Sequence, residues 1–96
     1  MTDLYAIISD DHIDSVELRT RHRPAHVARL ETLKQEGRLL LAGPFPKYQE
    51  DGFLGSLIVA RFPSLEQARQ WAEQDPFLLN GVYAHSEVRP FRKTMP

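Results

Sequence analysis

Arg19-Thr20-Arg21-His22-Arg23-Pro24-Ala25-His26 packs three arginines and two histidines together with no acid among them. Cations near a helix start oppose the helix dipole unless an anion sits beside them. The run therefore has two readings. One is a site for a carboxylate, phenolate or phosphate; the other is a solvated basic face balanced by Asp10, Asp11, Asp14 and Glu17. His22 and His26 stand at i, i+4 and on an unbroken helix share a face. No Glu follows His22 as a helical metalloprotease motif requires, and Pro24 lies between the pair, so no metal site is expected.

His26 borders the apolar residues Val27 and Leu30. A half-buried histidine at such a boundary is usually a packing residue. Paired with a carboxylate it is also how a general base is built, because an imidazole titrates near neutrality. Asp75 is a carboxylate at the matching height. Ser15 to His26 and Ser64 to Asp75 are both 11 residues. Each span covers roughly 16 Å of helix, so two helices starting at one end of a sheet bring the pair level. Asp75 before Pro76 is equally an N-cap for the turn that follows, and the two roles are compatible.

Ser56 lacks a Gly-x-Ser-x-Gly elbow and is not read as a hydrolase nucleophile. Tyr83, His85 and Glu87 alternate along one strand face, which fits either a cleft lining or exposed polar alternation. No Gly-rich phosphate loop or dinucleotide fingerprint is present, so no cofactor is expected.

The elements that must carry these residues follow from periodicity. Leu4-Tyr5-Ala6-Ile7-Ile8 reads as a first strand. Ser15 to Glu36 has helical spacing, with Leu18, Val27, Leu30 and Leu33 on one stripe and Gly37 as its cap; Pro24 kinks it or divides it in two. Arg38 to Ala42 reads as a strand buried on both faces, and Pro44 to Gly52 as a surface loop. Gly55 to Phe62 is a third strand. Ser64 opens a second helix through a capping box with Gln67, burying Leu65, Ala68, Trp71 and Ala72. Phe77 to Asn80 forms one more turn, and Val82 to Arg92 the last strand, with Val82, Ala84, Ser86 and Val88 on one face and Tyr83, His85, Glu87 and Arg89 on the other. The order βαββαβ predicts an α+β, ferredoxin-like protomer with two helices over a four-stranded antiparallel sheet.

Composition bounds the function. The 96 residues suit one domain over 1–96 with a thin core, which a partner copy across the sheet would thicken. With no cysteine there is no disulfide, no zinc-thiolate site and no thiol nucleophile. A formal net charge of −1 gives little long-range attraction for nucleic acid, and no apolar run spans a bilayer. The stretch Met1-Thr2-Asp3-Leu4 shows no basic segment ahead of the apolar run, so no leader is read and a cytoplasmic setting is expected.

Taken in order, several blocks resemble the YciI-like (YCII-related) family across nearly the whole chain. They are Leu4-Tyr5-Ala6-Ile7-Ile8, Arg23-Pro24-Ala25-His26-Val27-Ala28-Arg29-Leu30, Gly37-Arg38-Leu39-Leu40-Leu41-Ala42-Gly43-Pro44, Gly52-Phe53-Leu54-Gly55-Ser56, Ala72-Glu73-Gln74-Asp75-Pro76-Phe77, Gly81-Val82-Tyr83-Ala84 and Val88-Arg89-Pro90-Phe91-Arg92-Lys93. The resemblance implies a homodimer forming a dimeric α/β barrel, with an active-site cleft in which His26 and Asp75 match the family's facing histidine and aspartate. Arg23 and Ser56 match recurrent family positions. One relative resembles a dehydrochlorinase of a chlorinated hydroxyhydroquinone, and other families with this barrel include isomerases and monooxygenases. Pro46 to Gly52 is shorter than the loop many relatives carry.

The expected function is that of a cofactor-independent lyase or isomerase acting on a small oxygenated substrate, aromatic ones included. His26 is its base, Asp75 orients the imidazole, and Arg23, Ser56 and Tyr83 bind substrate. The competing expectation is a non-catalytic dimeric module that binds a small ligand or serves another protein.

Overall fold

A computed structural model describes residues 3–96; Met1 and Thr2, part of the stretch read for a leader, lie outside the described residues. The elements are β1 (Asp3–Asp11), α1 (Val16–Gln35), β2 (Leu39–Pro46), β3 (Phe53–Phe62), α2 (Leu65–Glu73), α3 (Pro76–Leu79) and β4 (Tyr83–Phe91). The four strands form one antiparallel sheet in the order β2-β3-β1-β4, so the chain has the expected βαββαβ arrangement with α3 as an added turn before β4.

Strand pleating sorts the side chains. Tyr5 and Ile7 of β1 lie opposite Ala60 and Ile58 of β3 and point toward the helices. They meet Leu33 of α1 and Ala68 and Ala72 of α2, and with Phe62 these residues make up the main core. α1 ends in a Schellman motif, with Arg38 N–H on the Leu33 carbonyl, Gly37 N–H on the Lys34 carbonyl and Gly37 at φ 71°. α2 begins as the sequence predicts, the Ser64 hydroxyl accepting from Gln67 N–H at 3.1 Å.

α1 departs from its expected stripe in an informative way. Its fully buried residues are Arg19, His26 and Leu33, spaced by seven and so on one face. The second half of that face covers the core with Leu33 and Leu30. The first half carries charge instead. Pro24 neither divides nor ends the helix, which runs unbroken from Val16 to Gln35. The proline is exposed, so the carbonyl that lacks its N–H partner faces water.

Two strands differ from expectation. β2 is not buried on both faces: it is the sheet edge, with Leu41 46% and Phe45 42% exposed. A run of three leucines reads as doubly buried, but no helix covers the far face and no fifth strand lies outside it among the described residues. β2 also extends to Pro46, reaching into the stretch expected to be a loop. In β4 the register slips: Asp10 pairs with His85 while Asp11 pairs with Tyr83, leaving Ala84 as the extra residue of a bulge. The bulge turns Tyr83 to the helix side, where it packs with Phe77 and Val82, while His85 stays with Asp10 on the open face.

β3 lies tightly on β1 at Gly55, where an added Cβ would sit 1.9 Å from the Ser9 carbonyl oxygen, whereas one at Gly43 meets nothing within 4 Å. Gly55→Ala is therefore expected to cost about 3 kcal/mol or more and Gly43→Ala under about 0.5 kcal/mol, read by urea denaturation. Equal midpoints for the two variants would contradict the close approach at Gly55.

Candidate active site

The charged half of α1 overhangs β2 and β3 and leaves a cleft of about 310 Å³ between them. Arg19, Arg23 and His26 line it from α1, Phe53 and Ser56 from β3, and Phe77 from α3. Ile58 and Pro44 add apolar wall.

His26 is fixed on three sides. Its Nδ1 lies 2.8 Å from Asp75 Oδ1, its ring stacks on Phe77 at 3.9 Å between centroids and 5° between planes, and the Tyr83 ring meets it edge-on at 6.2 Å. Asp75 is 3% exposed and also caps α3, because the same Oδ1 accepts from Phe77 N–H at 2.9 Å. As a carboxylate, Asp75 only accepts, so a hydrogen bond between the pair has His26 Nδ1–H as its donor. That leaves Nε2 as the lone-pair nitrogen, and it has no protein hydrogen-bond partner among the described residues. Both roles read for Asp75, cap and partner of His26, are filled at once.

A second buried network stands across the cleft. Asp11, its side chain 1% exposed, accepts from Arg19 Nε at 2.6 Å, from Arg19 Nη2 at 2.9 Å and from the Ser15 hydroxyl at 2.6 Å. Ser15 thus ties down Asp11 rather than capping α1. Arg19 Nη2 also reaches the Gly55 carbonyl at 3.0 Å and Ser56 Oγ at 3.1 Å. The guanidinium lies 4.9 Å from the Phe53 ring centroid and 5.1 Å from that of Phe77. Two aromatic faces and a bidentate carboxylate hold the charge in one place. With its oxygen accepting from Arg19, the Ser56 hydroxyl keeps its proton for a further acceptor.

The Tyr83 hydroxyl is buried with no hydrogen-bond partner. Burial pushes its pKa up; the nearby Ser56 hydroxyl, outside hydrogen-bond geometry with it, opposes that rise, the Asp75 charge adds to it, Arg19 opposes it and Asp11 adds to it. The phenol therefore stays protonated.

The structure brings His26, Arg23 and Ser56 together at one cleft, Arg23 exposed at its edge and Asp75 buried behind His26. It places Tyr83 behind the wall instead of on it, and separates it from His85 and Glu87, which are exposed on the open sheet face. Asp11 and Phe77 are residues sequence reasoning missed, and Arg19, read only as part of a basic run, was given no role of its own. A signal existed: Arg19 is seven residues before His26, and Asp11 continues the inward alternation of Tyr5, Ile7 and Ser9. His22 is half-buried, and among the described residues no group of three or more His, Asp or Glu side chains is placed to hold a metal. No helix of the described residues is long and apolar enough to cross a membrane.

The chain is similar to known proteins over nearly its whole length. The YCII-related domain matches residues 4–92. Protein YciI of Escherichia coli O6:H1 (strain CFT073) is 50% identical over 95 residues, covering 94% of this chain and 97% of that protein. An uncharacterized protein of Haemophilus influenzae is 43% identical over 94 residues, covering 93% of this chain and 96% of that protein. Among solved structures, 5-chloro-2-hydroxyhydroquinone dehydrochlorinase (TftG) from Burkholderia phenoliruptrix AC1100, in complex with 2,5-dihydroxybenzoquinone, is similar with a TM-score of 0.82, 26% identity and 93% of each chain covered.

Removing one partner of a buried ion pair strands the other charge. Arg19→Met is expected to destabilise by about 3–5 kcal/mol, and Arg19→Met with Asp11→Leu by clearly less than the two single losses combined. A double-mutant cycle in urea checks this; additive losses would contradict the network.

Proposed function

Because this chain belongs to the YCII-related family, we propose that it is a cofactor-independent enzyme of lyase or isomerase type, acting on a small oxygenated substrate through His26 and Asp75. The observation that carries the proposal is the 2.8 Å contact between His26 Nδ1 and Asp75, which leaves Nε2 as the base beside a cleft that also holds a fixed guanidinium. The dehydrochlorinase to which the chain is similar supports a small-molecule substrate and a single aromatic ring as one candidate class.

In this reading Nε2 takes a proton from a hydroxyl or from a carbon beside a carbonyl. The freed electron pair moves toward an oxygen of the substrate. Arg19, Arg23 and the Ser56 hydroxyl stabilise that oxygen, in a site where Phe53, Phe77 and Ile58 limit water and so strengthen each charge interaction. In a lyase the pair goes on to expel a leaving group with its bonding electrons; in an isomerase the proton returns from the imidazolium to a different atom. Asp75 keeps the ring in one tautomer and stabilises the imidazolium while it exists. Tyr83 supports the ring from behind and does not touch substrate.

The working unit in this proposal is a homodimer of the 1–96 domain paired through the open sheet face. Leu41, Phe45 and Phe91 are exposed there, and an apolar sheet face of this kind gains by being covered. The partners are this second copy and the small molecule in the cleft.

His26→Ala is expected to fold, which a melting curve checks, and to lose about 10²–10⁴-fold in turnover of whichever member of a panel of hydroxylated aromatics, lactones and enol acids the wild type consumes. Wild-type turnover by His26→Ala would overturn the mechanism.

A further inference from the structure

Arg19, Arg23 and His26 follow one another at i, i+4 and i+7 on α1, so all three stand on the face that overhangs the cleft. Arg23 lies between the other two, roughly 6 Å along the helix from Arg19 and roughly 4.5 Å from His26. The two arginines differ in how their charge is met. Arg19 is 8% exposed, and Asp11 matches its charge. Its Nε and Nη2 are committed to Asp11, the Gly55 carbonyl and Ser56, while Nη1 has no hydrogen-bond partner among the described residues. Arg19 therefore offers the cleft a fixed N–H donor with little net charge.

Arg23 is the reverse. It is exposed at the cleft edge and forms no ion pair among the described residues, whereas Arg21 on the outer surface pairs with Glu17 at 3.6 Å. No aspartate or glutamate lines the cleft. Asp11 is spent on Arg19, and Asp75 is screened by the imidazole it holds. The basic run thus divides: Arg21 is balanced on the surface, Arg19 is built into the wall, and Arg23 stands unmatched. A lone cation beside the apolar wall of Pro44, Phe53, Ile58 and Phe77 attracts an anion more strongly than one in open water. Its guanidinium fork fits the oxygens of an anionic group. The cleft volume of about 310 Å³ stands at the lower end of ligand sites, roughly 300–1,000 Å³, and suits one ring with its substituents.

We propose that this cleft takes up a monoanion about one ring in size, whose anionic oxygen, of a carboxylate or a phenolate, rests on Arg23 before any reaction. Arg19 Nη1 and the Ser56 hydroxyl are then left for the oxygen at the reacting centre. Charge selection is a task of Arg23 beyond any part it takes in the chemistry. The inference rests on the reading of this cleft as the substrate site.

Two-dimensional ¹H–¹⁵N NMR titrations of the full chain test it. The probes are benzoate and 4-nitrophenolate at mildly alkaline pH, each beside its neutral counterpart, benzamide and 4-nitroaniline. At least one anion is expected to move the Phe53 and Ser56 amide signals with a Kd of about 1 mM, and its neutral counterpart to bind at least about fivefold more weakly. Arg23→Gln changes an exposed side chain and is expected to weaken that anion about fivefold, while Arg21→Gln stays within about twofold of wild type. Dependence of benzoate on Arg23 assigns a carboxylate, and dependence of 4-nitrophenolate a ring oxygen. The proposal is overturned if both neutral counterparts bind as tightly as their anions, or if Arg23→Gln binds both anions as wild type does. Equal losses in Arg23→Gln and Arg21→Gln, or no movement of those amides by either anion at about 10 mM, overturn it as well. The enzymatic reading fails separately, when turnover is indifferent to His26→Ala while anion binding still depends on Arg23.

Discussion

The hydrogen bond between His26 Nδ1 and Asp75 Oδ1 joins the middle of α1 to the start of α3, two segments 49 residues apart in sequence. It orients an imidazole, satisfies a buried carboxylate and, through the shared oxygen, begins the turn that places Phe77 under the imidazole. Phe77 in turn supports Tyr83 at 5.4 Å and flanks the Arg19 guanidinium. Loss of the bond would therefore leave an unpaired buried carboxylate and loosen an aromatic cluster in one step.

That constraint explains why α1 is so weakly amphipathic. Its inward face has to serve two surroundings. Around Leu30 and Leu33 it closes a core with Ile58, Ala60 and Phe62. Around Arg19 and His26 it spans a cleft whose two buried polar groups are tied to partners from other elements: Arg19 to β1 and β3, His26 to the start of α3. Buried polar groups so connected hold a fixed geometry, which a site needs more than it needs affinity. The apolar residues of the open sheet face, Leu41, Phe45 and Phe91, stand outside both regions.

Much of this arrangement is legible in the residues. The βαββαβ order follows from β-rich runs alternating with capped helical segments, and Ser64, Gly37 and Asp75-Pro76 mark the ends where the structure has them. The meeting of His26 and Asp75 follows from equal counts along neighbouring helices. What the residues conceal is set by pairing between strands. Leu39-Leu40-Leu41 has the pattern of an interior strand, and only the sheet order makes it an edge. The alternation from Val82 to Arg89 runs unbroken in sequence, and only the register shows that Ala84 is an extra residue that turns Tyr83 inward. Arg19 looks like one more solvated cation in a basic run because its carboxylate partner arrives from β1, where pleating alone points Asp11 inward.

If Asp75 holds the proton on Nδ1, His26 presents an unprotonated Nε2 to the cleft. The tautomer is directly visible in the ¹⁵N chemical shifts of the two ring nitrogens, read by long-range ¹⁵N–¹H correlation on uniformly ¹⁵N-labelled protein at mildly alkaline pH. An amine-like shift at Nδ1 and an imine-like shift at Nε2 are expected. The opposite pattern, with the proton on Nε2, would contradict that tautomer.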